Sequence, residues 1–196
     1  MKNIAIFASG NGTNCENIIR YFENSETVCV ALVVCNNKSA QVIKRAEKFG
    51  VPVEIVNKEG FKDSSRVLPL LAGHNISHII LAGFMLLLPD YLTEAYKDRI
   101  VNIHPSLLPK YGGKGMYGDN VHKAVKENGE KESGITIHLV NNEYDKGQIL
   151  KQYTTPLSPE DSADDIARKV HALEYEHYPE VIEQLLSLPQ GWVTAA

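Results

Sequence analysis

The sequence predicts an α/β fold: a mostly parallel sheet flanked by helices on both faces, Rossmann-like in layout. Two observations carry the prediction. Short β-rich runs alternate with helical segments through the first two thirds of the chain, and the strand-like runs are continuously apolar, as strands covered on both faces must be. No repeat, linker or low-complexity segment interrupts this alternation, so residues 1–196 are expected to form one domain.

Ile4 to Ala8 is an apolar run ending at Ser9-Gly10-Asn11, the pattern of a buried parallel strand that reaches a turn. Asn14 to Phe22 reads as the helix that follows, and Val28 to Cys35 as a second strand. Ser39 is expected to cap a helix over Ala40 to Phe49, which Gly50 and Pro52 stop. Val53 to Val56 is a short third strand and Ser64 to Ala72 a helix. His78 to Ala82 and Ile100 to His104 are the fourth and fifth strands, with a short helix at Tyr91 to Tyr96 between them.

The pattern then changes. Pro105 to Gly118 is rich in Pro and Gly and long for a connection inside a compact domain, which marks a functional loop. Asp119 is expected to cap a helix to Asn128, closed by Gly129. Thr136 to Val140 and Gln148 to Thr155 are two more strands around the polar turn Asn141 to Gly147. Ser162 and Asp165 have capping-box spacing. They open a last helix with Ile166, Val170 and Leu173 as its buried stripe, and Pro179 is expected to kink or restart it before Val181 to Leu186.

Composition narrows the classes of function. The chain is 43% hydrophobic and 22% charged with a formal net charge of −4, which argues against a nucleic-acid binder. No stretch approaches membrane-spanning length. The three cysteines, Cys15, Cys29 and Cys35, follow neither zinc-type nor disulfide spacing. A reducing cytoplasmic setting and small-molecule substrates are therefore expected, in a monomer or a homodimer.

Ligands of open α/β sheets bind beyond the carboxyl ends of the strands. In this chain that rule selects the loop S-G-N-G-T-N at residues 9–14, the segment Leu81 to Leu88, the motif N-I-H-P at residues 102–105 and the turn Asn141 to Gly147. The glycine loop lacks the Gly-Lys-Ser/Thr ending of a Walker loop, and Cys15 replaces the third glycine of a dinucleotide fingerprint. A phosphate monoester on the helix start fits it better, although a tight turn alone would look similar. Asn102 and His104 alternate along a strand and point the same way, an amide and an imidazole able to hold a developing oxyanion and manage a proton. Contact with Asp145 would raise the pKa of His104. His138 is either a further member of the site or a core histidine, and no spacing of histidines predicts a metal site. Glu174 to His177 reads as a solvated helix face.

Taken in order, S-G-N-G-T-N, L-A-G-F-M at 81–85, N-I-H-P-S-L-L-P at 102–109 and Asp145-Lys146-Gly147 closely resemble the phosphoribosylglycinamide formyltransferases, a family of folate-dependent one-carbon transferases. The resemblance implies transfer of the formyl group of 10-formyltetrahydrofolate, a cosubstrate, to the amine of phosphoribosylglycinamide, with no metal. It implies Asn102, His104 and Asp145 as the catalytic residues, with His104 protonated. It implies Gly12, Thr13 and Asn14 at the phosphate, and His171, Ala172, Leu173 and Glu174 on the rest of that substrate. The folate pocket it implies is walled by Met85, Leu86, Leu87, Leu88, Asn102, Asn141, Asn142, Glu143, Tyr144 and Asp145. It also implies a cis Leu108–Pro109 bond. Two features depart from the family pattern: the loop Tyr111 to Gly118 is longer and richer in glycine, and Ser64 stands where an arginine is usual, with Arg66 nearby. Another folate formyltransferase or a formyltetrahydrofolate hydrolase is the alternative, and a phosphate-binding module would leave Asn102, His104 and Asp145 without a purpose.

Overall fold

A computed structural model describes residues 1–188. Seven strands form one sheet in the order β3-β2-β1-β4-β5-β6-β7. The strands β1 (Lys2–Ala8), β2 (Val28–Cys35), β3 (Val53–Ile55), β4 (Ile76–Leu81) and β5 (Ile100–His104) run parallel, whereas β6 (Glu132–Leu139) and β7 (Ile149–Pro156) add as antiparallel neighbours. The helices are α1 (Thr13–Phe22), α2 (Gln41–Glu47), α3 (Ser64–Gly73), α4 (Asp90–Ala95), α5 (Asp119–Glu127) and α6 (Ala163–Ser187).

The alternation of side chains along the strands builds two cores. Ile4, Ile6, Val33, Ile80, Val101, Ile103, Ile135 and Ile137 pack on one face beneath α1, α2, α5 and α6. Ala5, Phe7, Leu32, Val34, Ile79, Leu81 and Ile100 pack on the other, with Val67, Leu71 and Leu92 from α3 and α4. Both faces of the central strands are covered, which is why those strands read as unbroken apolar runs.

Four local expectations need correction. The N-cap of α2 is Ala40, without a side-chain cap, and not Ser39. The N-cap of α5 is Gly118, and Asp119 is instead its first residue. Glu174 does not lie on a solvated face but is 4% exposed. Pro179 does not end or restart the last helix, which runs unbroken through it. A proline removes the hydrogen bond to the carbonyl four residues back. Here that carbonyl belongs to Tyr175, and it accepts from Asn17 Nδ2 of α1 at 2.8 Å instead. The capping box of Ser162 and Asp165 and the cis Leu108–Pro109 bond are both present.

One further contact fixes the register of α6. Tyr178 is completely buried, and its hydroxyl donates toward the carbonyls of Leu81 at 2.9 Å and Val101 at 3.2 Å. The helix is thereby locked to β4 and β5, and Glu174, one turn earlier, is presented at the carboxyl edge of the sheet.

Candidate active site

Four chain segments meet at the carboxyl ends of β1, β4 and β5, where the strand order changes direction. The first is the loop after β1. Gly12 adopts a left-handed φ of 78° and starts α1 without a side-chain cap, so the first amides of the helix stay open to an anion. This loop is clamped from α2: Val42 N donates to Gly10 O at 3.2 Å, and Arg45 Nε donates to Asn11 O at 2.8 Å while its guanidinium pairs with Glu16. A Cβ on Gly12 would lie 2.5 Å from Val42 Cβ, so bulk at this position disturbs the α1–α2 contact before it meets any ligand.

The second segment follows β4. Ser9 N donates to Gly83 O at 3.1 Å, and Ser9 Oγ accepts from Met85 N at 2.9 Å. Ser9 thus joins the glycine loop to the wall of Met85 to Leu88. Phe84 is wedged against Phe7 and Phe61 from below, with ring centroids 5.5 and 5.2 Å away. Met85 and Leu87 remain 56% and 47% exposed, an apolar wall with nothing packed on it.

The third segment holds the titrating groups. Asn102 pairs with His138 and His104 with Thr136 across β5 and β6, so all four side chains share one face. The turn after β6 brings Asp145 back over that face, in a left-handed conformation with φ of 55°. Its Oδ2 lies 3.6 Å from His104 Nδ1 and accepts from Gly113 N at 2.8 Å, while its Oδ1 lies 3.6 Å from His138 Nε2. His138 therefore belongs to the site.

The ring nitrogens are assigned by their partners. His104 Nε2 donates to Tyr111 O at 2.7 Å, which fixes that tautomer and leaves Nδ1 to carry a lone pair toward Asp145. His138 Nδ1 donates to Leu139 O at 2.8 Å, so its Nε2 accepts from Asn102 Nδ2 at 3.2 Å. Burial pushes His104 down from its ordinary pKa, and the charge of Asp145 opposes this without reversing it. The expected rise is therefore not seen: His104 rests neutral, with desolvation outweighing one carboxylate at 3.6 Å. For Asp145, burial pushes upward, but His138 and His104, when they carry a proton, and the hydrogen bond from the Gly113 amide together hold the carboxyl below its ordinary value.

The fourth segment is α6. Glu174 Oε2 accepts from Asn14 Nδ2 at 2.9 Å and from His171 Nδ1 at 2.8 Å. The carboxylate hydrogen bond raises the His171 pKa.

These segments enclose a cavity of about 580 Å³, within the usual range for a small-molecule site. Gly12, Thr13, Asn14, Met85 to Leu88, Asn102, His104, Asn141, Glu143, Tyr144, Asp145, His171 and Glu174 all border it. Ala172 and Leu173 do not. They follow His171 by one and two helical steps of about 100°, so Ala172 is exposed and Leu173 packs against the core. Asn142 also turns away, its Oδ1 accepting from the Thr93 hydroxyl of α4. Arg66 donates to Ile55 O at 3.2 Å and does not border the cavity. Sequence reading missed Ser9, Arg45 and His122; only the N-terminal loop motif hinted at the first.

Among the described residues no group of three or more His, Cys, Asp or Glu side chains is arranged to hold a metal, and no helix is long and apolar enough to cross a membrane. Residues 2–182 match the family model described as formyl transferase. The chain is 40% identical over 195 residues to the phosphoribosylglycinamide formyltransferase of Bacillus subtilis (strain 168), covering 96% of each protein. It is 38% identical over 187 residues to the chloroplastic phosphoribosylglycinamide formyltransferase of Arabidopsis thaliana, covering 92% of this chain and 64% of that longer protein. The crystal structure of glycinamide ribonucleotide transformylase 1 from Geobacillus kaustophilus superposes with a TM-score of 0.86 at 36% identity, over 95% of this chain and 99% of that one. That of phosphoribosylglycinamide formyltransferase from Anaplasma phagocytophilum gives 0.87 at 30% identity, over 94% and 86%.

Proposed function

The chain belongs to the formyl transferase family, and we propose that it transfers the formyl group of 10-formyltetrahydrofolate to the amine of phosphoribosylglycinamide in purine synthesis. One observation carries the reading. An anion-ready helix start, a buried carboxylate and an Asn–His–Asp cluster open onto the same cavity, so a phosphorylated amine held at one end would reach a formyl group held at the other. The names of the relatives favour this acceptor over the other folate formyltransferases and over a hydrolase.

The cavity suits both substrates. The amides at the start of α1 and the Thr13 side chain would take the phosphate, and Glu174, held by Asn14 and His171, would meet the hydroxyls and nitrogen of the acceptor. The exposed apolar wall of Met85 and Leu87, with Tyr144 and Leu86, suits the flat ring system of a folate. Leu88 is buried beneath that wall. Asn141, Asn142, Glu143 and Asp145 belong to the turn that closes it, with Asn142 fixing the turn to α4.

10-Formyltetrahydrofolate supplies an activated formyl group when bound, and the rest falls to the side chains. The amide of Asn102, already oriented by His138, would donate to the negative charge developing on the formyl oxygen. His104 Nδ1 is the free base of its ring and would take up the proton shed by the attacking amine. Asp145 would stabilise the imidazolium so formed, with Gly113 N holding the carboxylate in place. The imidazolium would return the proton to N10 of the folate as the bond between the formyl carbon and N10 breaks and tetrahydrofolate leaves. A donor of this kind lowers a barrier by about 3 kcal/mol.

Within a single domain, the N-terminal part would supply the phosphate site and the C-terminal part most of the catalytic groups, with Met85 to Leu88 and Glu174 crossing that division. Residues 189–196 of the expected domain lie outside the described residues. All the groups named come from one chain, so the reading requires no second copy. The free thiols Cys15, Cys29 and Cys35 suit a reducing compartment, and we assign the enzyme to the cytoplasm. The deciding experiment is turnover with 10-formyltetrahydrofolate in the presence and absence of phosphoribosylglycinamide. Acceptor-dependent release of tetrahydrofolate is expected; release at the same rate without acceptor would make the protein a hydrolase.

A further inference from the structure

His122 has no role in the mechanism above, yet its ring borders the cavity and is 2% exposed. Neither ring nitrogen has a hydrogen-bond partner among the described residues, and Nδ1 is fully enclosed. The neighbouring inward positions of α5 are Val121 and Val125, both buried and apolar. Packing alone would therefore be met by another apolar residue, without the cost of an unpaired buried nitrogen.

The location of the ring narrows what it is for. The charges that act on it include those of His171, Glu174 and His104. His171 meets it edge to face, with centroids 6.1 Å apart. His122 thus lies against His171 and lines the same cavity as Glu174 of the acceptor end and His104 of the transfer end, between which the short arm joining ribose to reactive amine would run. Burial and the nearby His171 push its pKa down, so the ring is neutral at neutral pH, and Nε2, the nitrogen that is not fully enclosed, can present either an N–H or a lone pair. A glycinamide arm carries the matching pair, a carbonyl acceptor and N–H donors.

We propose that His122 is a specificity residue that hydrogen-bonds the glycinamide arm of the acceptor and so sets the approach of its amine. The assignment rests on the functional reading above and adds a contact to it. A site with an otherwise unpaired polar group discriminates against ligands that cannot satisfy that group.

The test compares two ligands that differ only in the arm. Phosphoribosylglycinamide and ribose 5-phosphate are titrated separately against the wild-type chain, His122→Phe and His122→Asn, with thermal melting recorded for each. In His122→Phe the affinity for phosphoribosylglycinamide is expected to fall about tenfold, the size of one neutral hydrogen bond. Affinity for ribose 5-phosphate and for 10-formyltetrahydrofolate should stay within about twofold, and His122→Asn should lie between wild type and His122→Phe. Equal weakening of both phosphorylated ligands, or no weakening of either, would overturn the proposal. If His122→Phe does not fold, His122→Asn decides by the same comparison. A wild-type chain that neither binds nor formylates phosphoribosylglycinamide would instead overturn the function itself, a result separate from any seen in the variants.

Discussion

Asn14 Nδ2 donates to Glu174 Oε2 at 2.9 Å, tying the first turn of α1 to the middle of α6 across the floor of the cavity. The same oxygen accepts from His171 Nδ1. Glu174→Gln keeps the shape and removes the charge that holds the His171 pKa up. The His171 pKa is expected to fall toward its ordinary value, read by NMR titration of the ring. A raised folded-state pKa stabilises the fold at pH below the unfolded value and loses that effect as pH rises through the folded value. The stability gap between wild type and Glu174→Gln should therefore be widest below about pH 6.5 and narrow as the solution becomes more basic.

Asp145 lends itself to a clean charge test because its backbone is left-handed, a conformation asparagine adopts almost as readily. Asp145→Asn should fold normally and retain acceptor affinity, while kcat falls by about a hundredfold or more, the scale of losing a proton-handling group. Steady-state kinetics with both substrates varied separates these quantities. An unchanged kcat would remove Asp145 from the mechanism.

Gly12 is constrained twice, by its positive φ and by Val42 at 2.5 Å from a notional Cβ. Gly12→Ala is expected to lower stability by about 2 kcal/mol, read by urea unfolding. If the Val42 contact is part of the cause, Val42→Ala should cost less in the Gly12→Ala background than alone. Strict additivity of the two changes would leave backbone strain as the whole effect.

Met85 and Leu87 contribute little to the core because both are largely exposed. Leu87→Ser should leave thermal stability within about 0.5 kcal/mol of wild type. It should also weaken 10-formyltetrahydrofolate by about tenfold through lost apolar contact, as measured by fluorescence titration. Phosphoribosylglycinamide binding should be unaffected.

Acid sensitivity should come partly from His78, which does not line the cavity. The ring is 6% exposed, and burial, aided by the charges of Lys2 and Arg99, lowers its pKa to about 4. The unfolded chain binds this proton first as pH falls, so the folded state loses stability between about pH 6.5 and pH 4, by roughly 3 kcal/mol from this one residue. His78→Leu should flatten that part of the stability curve in chemical unfolding.

The sheet, its helices and the loops at its carboxyl edge are legible in the order of the residues, because burial on both faces writes itself as unbroken apolar runs such as Ile4 to Ala8. The pairing of Asn102 with His104 follows from strand alternation alone. The sequence cannot say that Asp145 arrives 3.6 Å from His104, since the two meet through the antiparallel register of β5 with β6 and a left-handed turn. Nor can it say that His104 is neutral, because the balance between desolvation and one carboxylate depends on depth and distance. Pro179 is the plainest case: local chemistry predicts a break, and the helix continues because Asn17, on α1, takes up the carbonyl that the proline leaves unpaired. Local preferences are written residue by residue, whereas contacts between residues far apart in the chain exist only once the chain has closed on itself.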